Sequence, residues 1–129
     1  MTTSALSALI DELGAGVVVT DPEILASYRY DWARDPDAGM PLAVVRPTST
    51  EQVQTVLRWA SAHRVPVVPR GAGTGLSGGA TAVNGGIVLS TEKMREITVD
   101  PVTRTAVAQP GLLNVEVKKA VVAQGLWYP

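Results

Sequence analysis

Seven glycines fall within the sixteen residues from Gly71 to Gly86, five of them in the run Pro69-Arg70-Gly71-Ala72-Gly73-Thr74-Gly75-Leu76-Ser77-Gly78-Gly79. Alternating glycines let successive backbone N–H groups turn toward one point, which makes a nest for an anion. A missing Cβ also lets a phosphate lie against the main chain. Thr74 and Ser77 add hydroxyl donors and Arg70 a positive charge. Hydrogen bonds to a charged group contribute about 1.5–3 kcal/mol each, so four or five of them would anchor a diphosphate. Little other chemistry is on offer. The chain has no cysteine, which removes disulfides, thiolate metal sites and thiol nucleophiles, and its one histidine is His63.

The segment Gly73-Thr74-Gly75-Leu76-Ser77-Gly78 has the GxGxxG spacing of a dinucleotide fingerprint. That fingerprint must open a helix, but Gly79-Ala80-Thr81-Ala82-Val83-Asn84-Gly85-Gly86 offers no amphipathic face. The phosphate loop of nucleotide triphosphatases is excluded because no Gly-Lys-Ser/Thr is present. Glycines serving tight turns alone remain the plain alternative, although seven exceed what a turn needs.

The elements around the loop follow from periodicity. Leu6, Leu9, Ile10 and Leu13 lie at spacings of three and four, which predicts a helix over 4–13 closed by Gly14 and Gly16. Asp21-Pro22 predicts a capped short helix over 22–29. Residues 1–40 read as a helical lead-in, and the organised unit as 41–129. Leu42 to Val45 reads as a buried strand. Ser49 and Gln52 have capping-box spacing before Val53, Val56, Leu57 and Ala60, one face of a helix ending near Arg64. Val65 to Pro69 reads as a second buried strand, so strand, helix and strand form a βαβ unit with parallel strands. Beyond the glycines, 87–89, 97–100 and 105–108 read as short strands suited to hairpins. Leu113, Val117, Ala120 and Val121 mark a last helix, with Gly125 at its C′ position.

Outside the loop no acid/base pair can be defended. His63 reads as a helix-end residue, Asp31 and Trp32 as packing and capping, Trp59 as the edge of the core, and Lys118 and Lys119 as a solvated face. Glu92, Lys93 and Arg95 read as a mixed-sign turn. Lys plus Arg number 11 against 12 Asp plus Glu, with no basic stripe, so a nucleic-acid partner is not expected. Met1 to Ile10 has no basic n-region and no apolar run reaches bilayer length. The expectation is a cytoplasmic chain without a transmembrane segment. In a longer protein, peripheral membrane association stays open.

Beyond these readings, Val65 to Ala80 resembles the pyrophosphate loop of the vanillyl-alcohol oxidase/p-cresol methylhydroxylase flavoproteins. Within that family it is similar to the branch of glycolate oxidase D-subunit, D-lactate dehydrogenase and D-2-hydroxyglutarate dehydrogenase. The agreement extends through Arg46-Pro47-Thr48-Ser49-Thr50-Glu51-Gln52-Val53, Gly85-Gly86-Ile87-Val88-Leu89-Ser90 and Gln109-Pro110-Gly111. The resemblance implies an α+β fold, the N-terminal part of a PCMH-type FAD-binding domain, with a βαβ subdomain followed by a mainly antiparallel one. It implies non-covalent FAD, with the diphosphate on Arg70, Gly71, Ala72, Gly73, Thr74, Gly75, Leu76, Ser77 and Gly78, and Gly111 near the cofactor. It implies oxidation of a small 2-hydroxy acid, with catalytic residues in a cap domain that nothing here matches. The domain is therefore expected to be incomplete at its C-terminus, with an open strand edge inviting self-association. A non-catalytic nucleotide- or phosphate-binding module, or an inactive truncated product, are the alternatives.

Overall fold

The structure is a computed structural model describing residues 2–129. Helix α1 (Thr2–Leu13) buries Leu9 completely and ends at Gly14, whose φ of +91° stops the helix. A two-residue strand, β1 (Val18–Val19), follows, then helix α2 (Pro22–Ser27), capped by Asp21, whose carboxylate accepts from Glu23 N at 2.9 Å and Ile24 N at 3.3 Å. Strand β2 (Ala43–Val45), helix α3 (Thr50–His63) and strand β3 (Val67–Arg70) form the crossover unit. Strand β4 (Ile87–Ser90) closes it after the glycine-rich stretch.

The four strands order as β1-β2-β4-β3. Both β2 and β3 run parallel to β4, with Ala43 and Val67 each opposite Ile87, while β1 pairs antiparallel with β2. Alternation along the strands explains the unbroken apolar runs. Ala43, Val45, Ile87 and Leu89 face Leu9, Val56 and Trp59 on one side, whereas Val44 and Val88 face Leu25 and Ala82 on the other. A sheet covered on both faces needs apolar residues at every position.

Three strand readings need correction. The segment after the glycines is the fully buried central strand of the parallel sheet rather than a hairpin arm. The Val65 to Pro69 segment is a half-buried edge strand, with Pro69 paired inside it opposite Leu89. Proline is tolerated there because an edge strand need not donate on both sides. Strand β1 lies inside the lead-in, where no strand was expected. The helix details shift less. Ser49 Oγ caps Gln52 N at 3.3 Å, but the Gln52 side chain reaches back to Thr48 N at 2.8 Å, one residue before the cap. Trp59 is core rather than edge, with its indole N–H donating to Ala5 O at 2.8 Å.

The second sheet is the hairpin of β5 (Ile97–Asp100) and β6 (Thr105–Ala108), against which helix α4 (Asn114–Val122) packs. Glu116 accepts from Leu113 N at 2.7 Å to begin α4. Gly125 ends it in a Schellman turn: its N–H reaches Val122 O and that of Leu126 reaches Val121 O, both at 3.0 Å.

Candidate functional site

The glycine loop leaves the end of β3 and crosses to β4 without forming a helix. Gly73 and Gly78 hold φ of +71° and +77°, a region that side chains with a Cβ avoid. A Cβ on Gly73 would also overlap the Arg70 guanidinium. At Gly71 and Gly79 a Cβ would meet nothing, and at Gly75 it would come no closer than 3.6 Å to Asp31 Oδ2. These three positions therefore border open space.

The hydrogen-bond account of the loop is one-sided. Among the described residues, none of the nine N–H groups from Gly71 through Gly79 donates to a protein acceptor. The Thr74 and Ser77 hydroxyls are likewise without partners. Backbone donors left unpaired by the chain are free for water or a ligand. All of the residues from Gly71 through Gly79 but Gly78 line a cavity of about 400 Å³, together with Ala80 and Asp31. Gly78 sits outside that lining and serves the turn, with its carbonyl accepting from Thr81 N at 3.1 Å.

Gly71 and Ala72 also border a second cavity of about 430 Å³, which reaches Arg70, Tyr28, Glu92 and Gly111. The structure thus groups Arg70 to Ser77 with Gly111 around two adjoining hollows. Gly111 has no room for a side chain, because the carbonyl oxygens of Thr91, Glu92 and Met94 crowd the place its Cβ would take. Its N–H donates to Met94 O at 2.8 Å, and Arg95 donates to its carbonyl at 2.9 Å. Arg70 donates to Tyr30 O at 2.8 Å and lies over the Tyr28 ring, 5.4 Å from its centre. The Tyr28 hydroxyl donates to Glu92. Burial and then the Glu92 carboxylate raise the Tyr28 pKa above the usual phenol value, with Arg46 opposing them in part. The largest hollow described, about 770 Å³, lies elsewhere, between β6, α4 and Trp127.

Residues 41–129 match the family described as FAD binding domain. This chain belongs to that family. It is 44% identical over 127 residues to the D-2-hydroxyglutarate dehydrogenase of Stutzerimonas stutzeri, covering 95% of this chain and 27% of the relative. It is 42% identical over 103 residues to the glycolate oxidase subunit GlcD of Bacillus subtilis, covering 79% and 22%. With the D-lactate dehydrogenase of Archaeoglobus fulgidus the identity is 41% over 123 residues, covering 93% and 27%. Among solved structures, p-cresol methylhydroxylase with substrate bound superposes with a TM-score of 0.80 at 26% identity, covering 96% of this chain and 25% of that one. The fold is accordingly the α+β, PCMH-type FAD-binding fold, and FAD is the cofactor of the family. The chain spans about a quarter of the length of the curated relatives it matches. Its loop suits the group: an array of unpaired donors bordering open space fits a diphosphate.

One participant escaped the sequence reading. Asp31 is only 2% exposed and lies against the loop, with Oδ2 accepting from Ala80 N at 3.5 Å. His63, by contrast, is an exposed helix-end residue whose Nδ1 lies 2.8 Å from Trp59 O. Among the described residues no helix is long and apolar enough to cross a membrane.

Proposed function

We propose that this chain is the diphosphate-holding part of a flavoprotein oxidoreductase that converts a small 2-hydroxy acid, either glycolate or a D-2-hydroxy acid such as D-lactate, to the 2-oxo acid. The observation that carries this reading is the row of nine loop N–H groups without protein acceptors. In this reading Arg70, Gly71, Ala72, Gly73, Thr74, Gly75, Leu76, Ser77 and Gly78 hold the FAD diphosphate, and the Gly111 turn borders the rest of the cofactor. Residues 1–40 are the lead-in to a 41–129 FAD-binding unit. The names of three relatives, acting on D-2-hydroxyglutarate, glycolate and D-lactate, support the substrate class.

FAD bound without a covalent link would supply the hydride acceptor for C2 of the hydroxy acid. The chain's own share is to fix the diphosphate with preorganised donors and so orient the cofactor. Substrate-binding and proton-accepting groups belong, in this reading, to parts of the protein outside this chain.

The test uses the longer protein that carries this chain. Purified protein should be yellow, and its flavin should bleach when glycolate or a D-2-hydroxy acid is added without oxygen, L-2-hydroxy acids leaving it oxidised. Flavin that neither glycolate nor any D-2-hydroxy acid reduces would overturn the substrate class. Colourless protein that retains ADP would favour the non-catalytic module.

A further inference from the structure

Residues 30–32 touch the glycine loop at its start, middle and end. The Tyr30 carbonyl accepts from Arg70 at 2.8 Å, Trp32 N donates to Gly75 O at 3.0 Å, and Asp31 Oδ2 accepts from Ala80 N at 3.5 Å. The other carboxylate oxygen of Asp31 accepts from Ala33 N at 2.9 Å, which locks the 31–33 turn that presents the brace. Asp31 lies in the lining of the 400 Å³ cavity. A nearly buried carboxylate beside a proposed anion site needs a reason, since it repels a diphosphate.

We propose that Asp31 is a positioning residue that sets the shape of the loop, with Trp32 N as its co-anchor. The inference rests on the diphosphate reading of the loop. Flexible, glycine-rich backbone has many conformations, and a nest works only when its N–H groups are already turned inward. Trp32 N engages the Gly75 carbonyl, and Asp31 takes the first N–H beyond the nest, that of Ala80. The nine N–H groups between Arg70 and Ala80 are thereby left unpaired in a loop pinned at both ends and near its middle. Asp31 contributes order at the expense of some repulsion.

The experiment compares Asp31→Ala, Asp31→Asn and Asp21→Ala in the longer protein carrying this chain, stripped of flavin. Each is titrated with FAD and with ADP, and thermal unfolding is followed in parallel. Asp31→Ala should weaken both ligands by the same factor, about tenfold or more, because the diphosphate is common to them. Asp31→Asn keeps one acceptor and should recover part of the affinity. Asp21→Ala removes a helix cap in the same lead-in, so it should lower the unfolding temperature and leave ADP affinity unchanged. If Asp31→Ala does not fold, the intermediate affinity of Asp31→Asn carries the test. Asp31 variants that bind ADP as tightly as wild type would overturn the brace while leaving the diphosphate reading intact. Asp21→Ala weakening ADP equally would reduce Asp31 to a general stability role and also overturn it. Wild-type protein that binds neither ligand would remove the diphosphate reading and the brace together.

Discussion

Gly75→Ala separates the binding role of the loop from its folding. The residue is exposed, its φ lies outside the left-handed range, and an added Cβ would meet only Asp31 Oδ2 at 3.6 Å, an ordinary contact. An exposed substitution without strain changes stability by about 0.5 kcal/mol or less. The same methyl group would sit beside Asp31 Oδ2 at the cavity that Gly75 and Asp31 both line. Displacing a phosphate enough to break one charge-assisted hydrogen bond costs about 1.5–3 kcal/mol, or about 10- to 150-fold in affinity. Gly73→Ala is the contrasting variant. Its φ of +71° costs about 1–2 kcal/mol in the unliganded protein, and its Cβ would displace the Arg70 guanidinium. Calorimetric titration with ADP beside thermal unfolding reads both quantities. Gly75→Ala should lose affinity at constant unfolding temperature, whereas Gly73→Ala should lose both. Wild-type ADP affinity in Gly75→Ala would show that no phosphate approaches that backbone, and the argument from open space would fail.

Three further outcomes are expected. Arg64 ends α3 in a left-handed conformation with φ of 55°, its N–H bonding Ser61 O while Val65 N reaches Ala60 O, so Arg64→Gly should stabilise the protein by about 1 kcal/mol in denaturant unfolding. Asp100 has its pKa lowered by its hydrogen bonds to Thr103 and then Val102, so its stabilising contribution is present above the unfolded value of 3.8 and is lost as pH falls through the lower folded value. Asp100→Asn should flatten the acid limb of the stability profile in that window, and an unchanged limb would contradict the assignment. The glycine loop carries no histidine or cysteine to bond a flavin, so acid precipitation of the longer protein should leave flavin in the supernatant, and colour in the pellet would refute non-covalent binding.

The helices were legible because their signals are local. Asp21-Pro22 writes the start of α2, Ser49 that of α3, and Gly125 the end of α4. The β5–β6 hairpin was legible too, but the partners of β4 were not, because Ile87-Val88-Leu89 reads the same in a hairpin as in the centre of a parallel sheet. The glycine loop masked the crossover, since a connection between parallel strands usually advertises itself as a helix. Val18–Val19 is too short for any period to show. Within the site, the loop stood out by composition, and the unpaired donors are its physical counterpart. Asp31 did not stand out, because its loop partner lies 49 positions away and nothing local separates it from an ordinary turn aspartate. The need for glycine at 111 was equally invisible, being imposed by three carbonyls from the 91–94 turn.

The N–H groups of the loop from Gly71 to Gly78 are proposed to hold a diphosphate, and amide hydrogen exchange with and without bound FAD tests this most directly. Peptides spanning 71–79 should exchange freely without ligand, since their donors lack protein acceptors, and become strongly protected with FAD. ADP should protect the same peptides. Protection confined to α4, β6 and the Trp127 hollow, with the glycine loop exchanging as before, would contradict it.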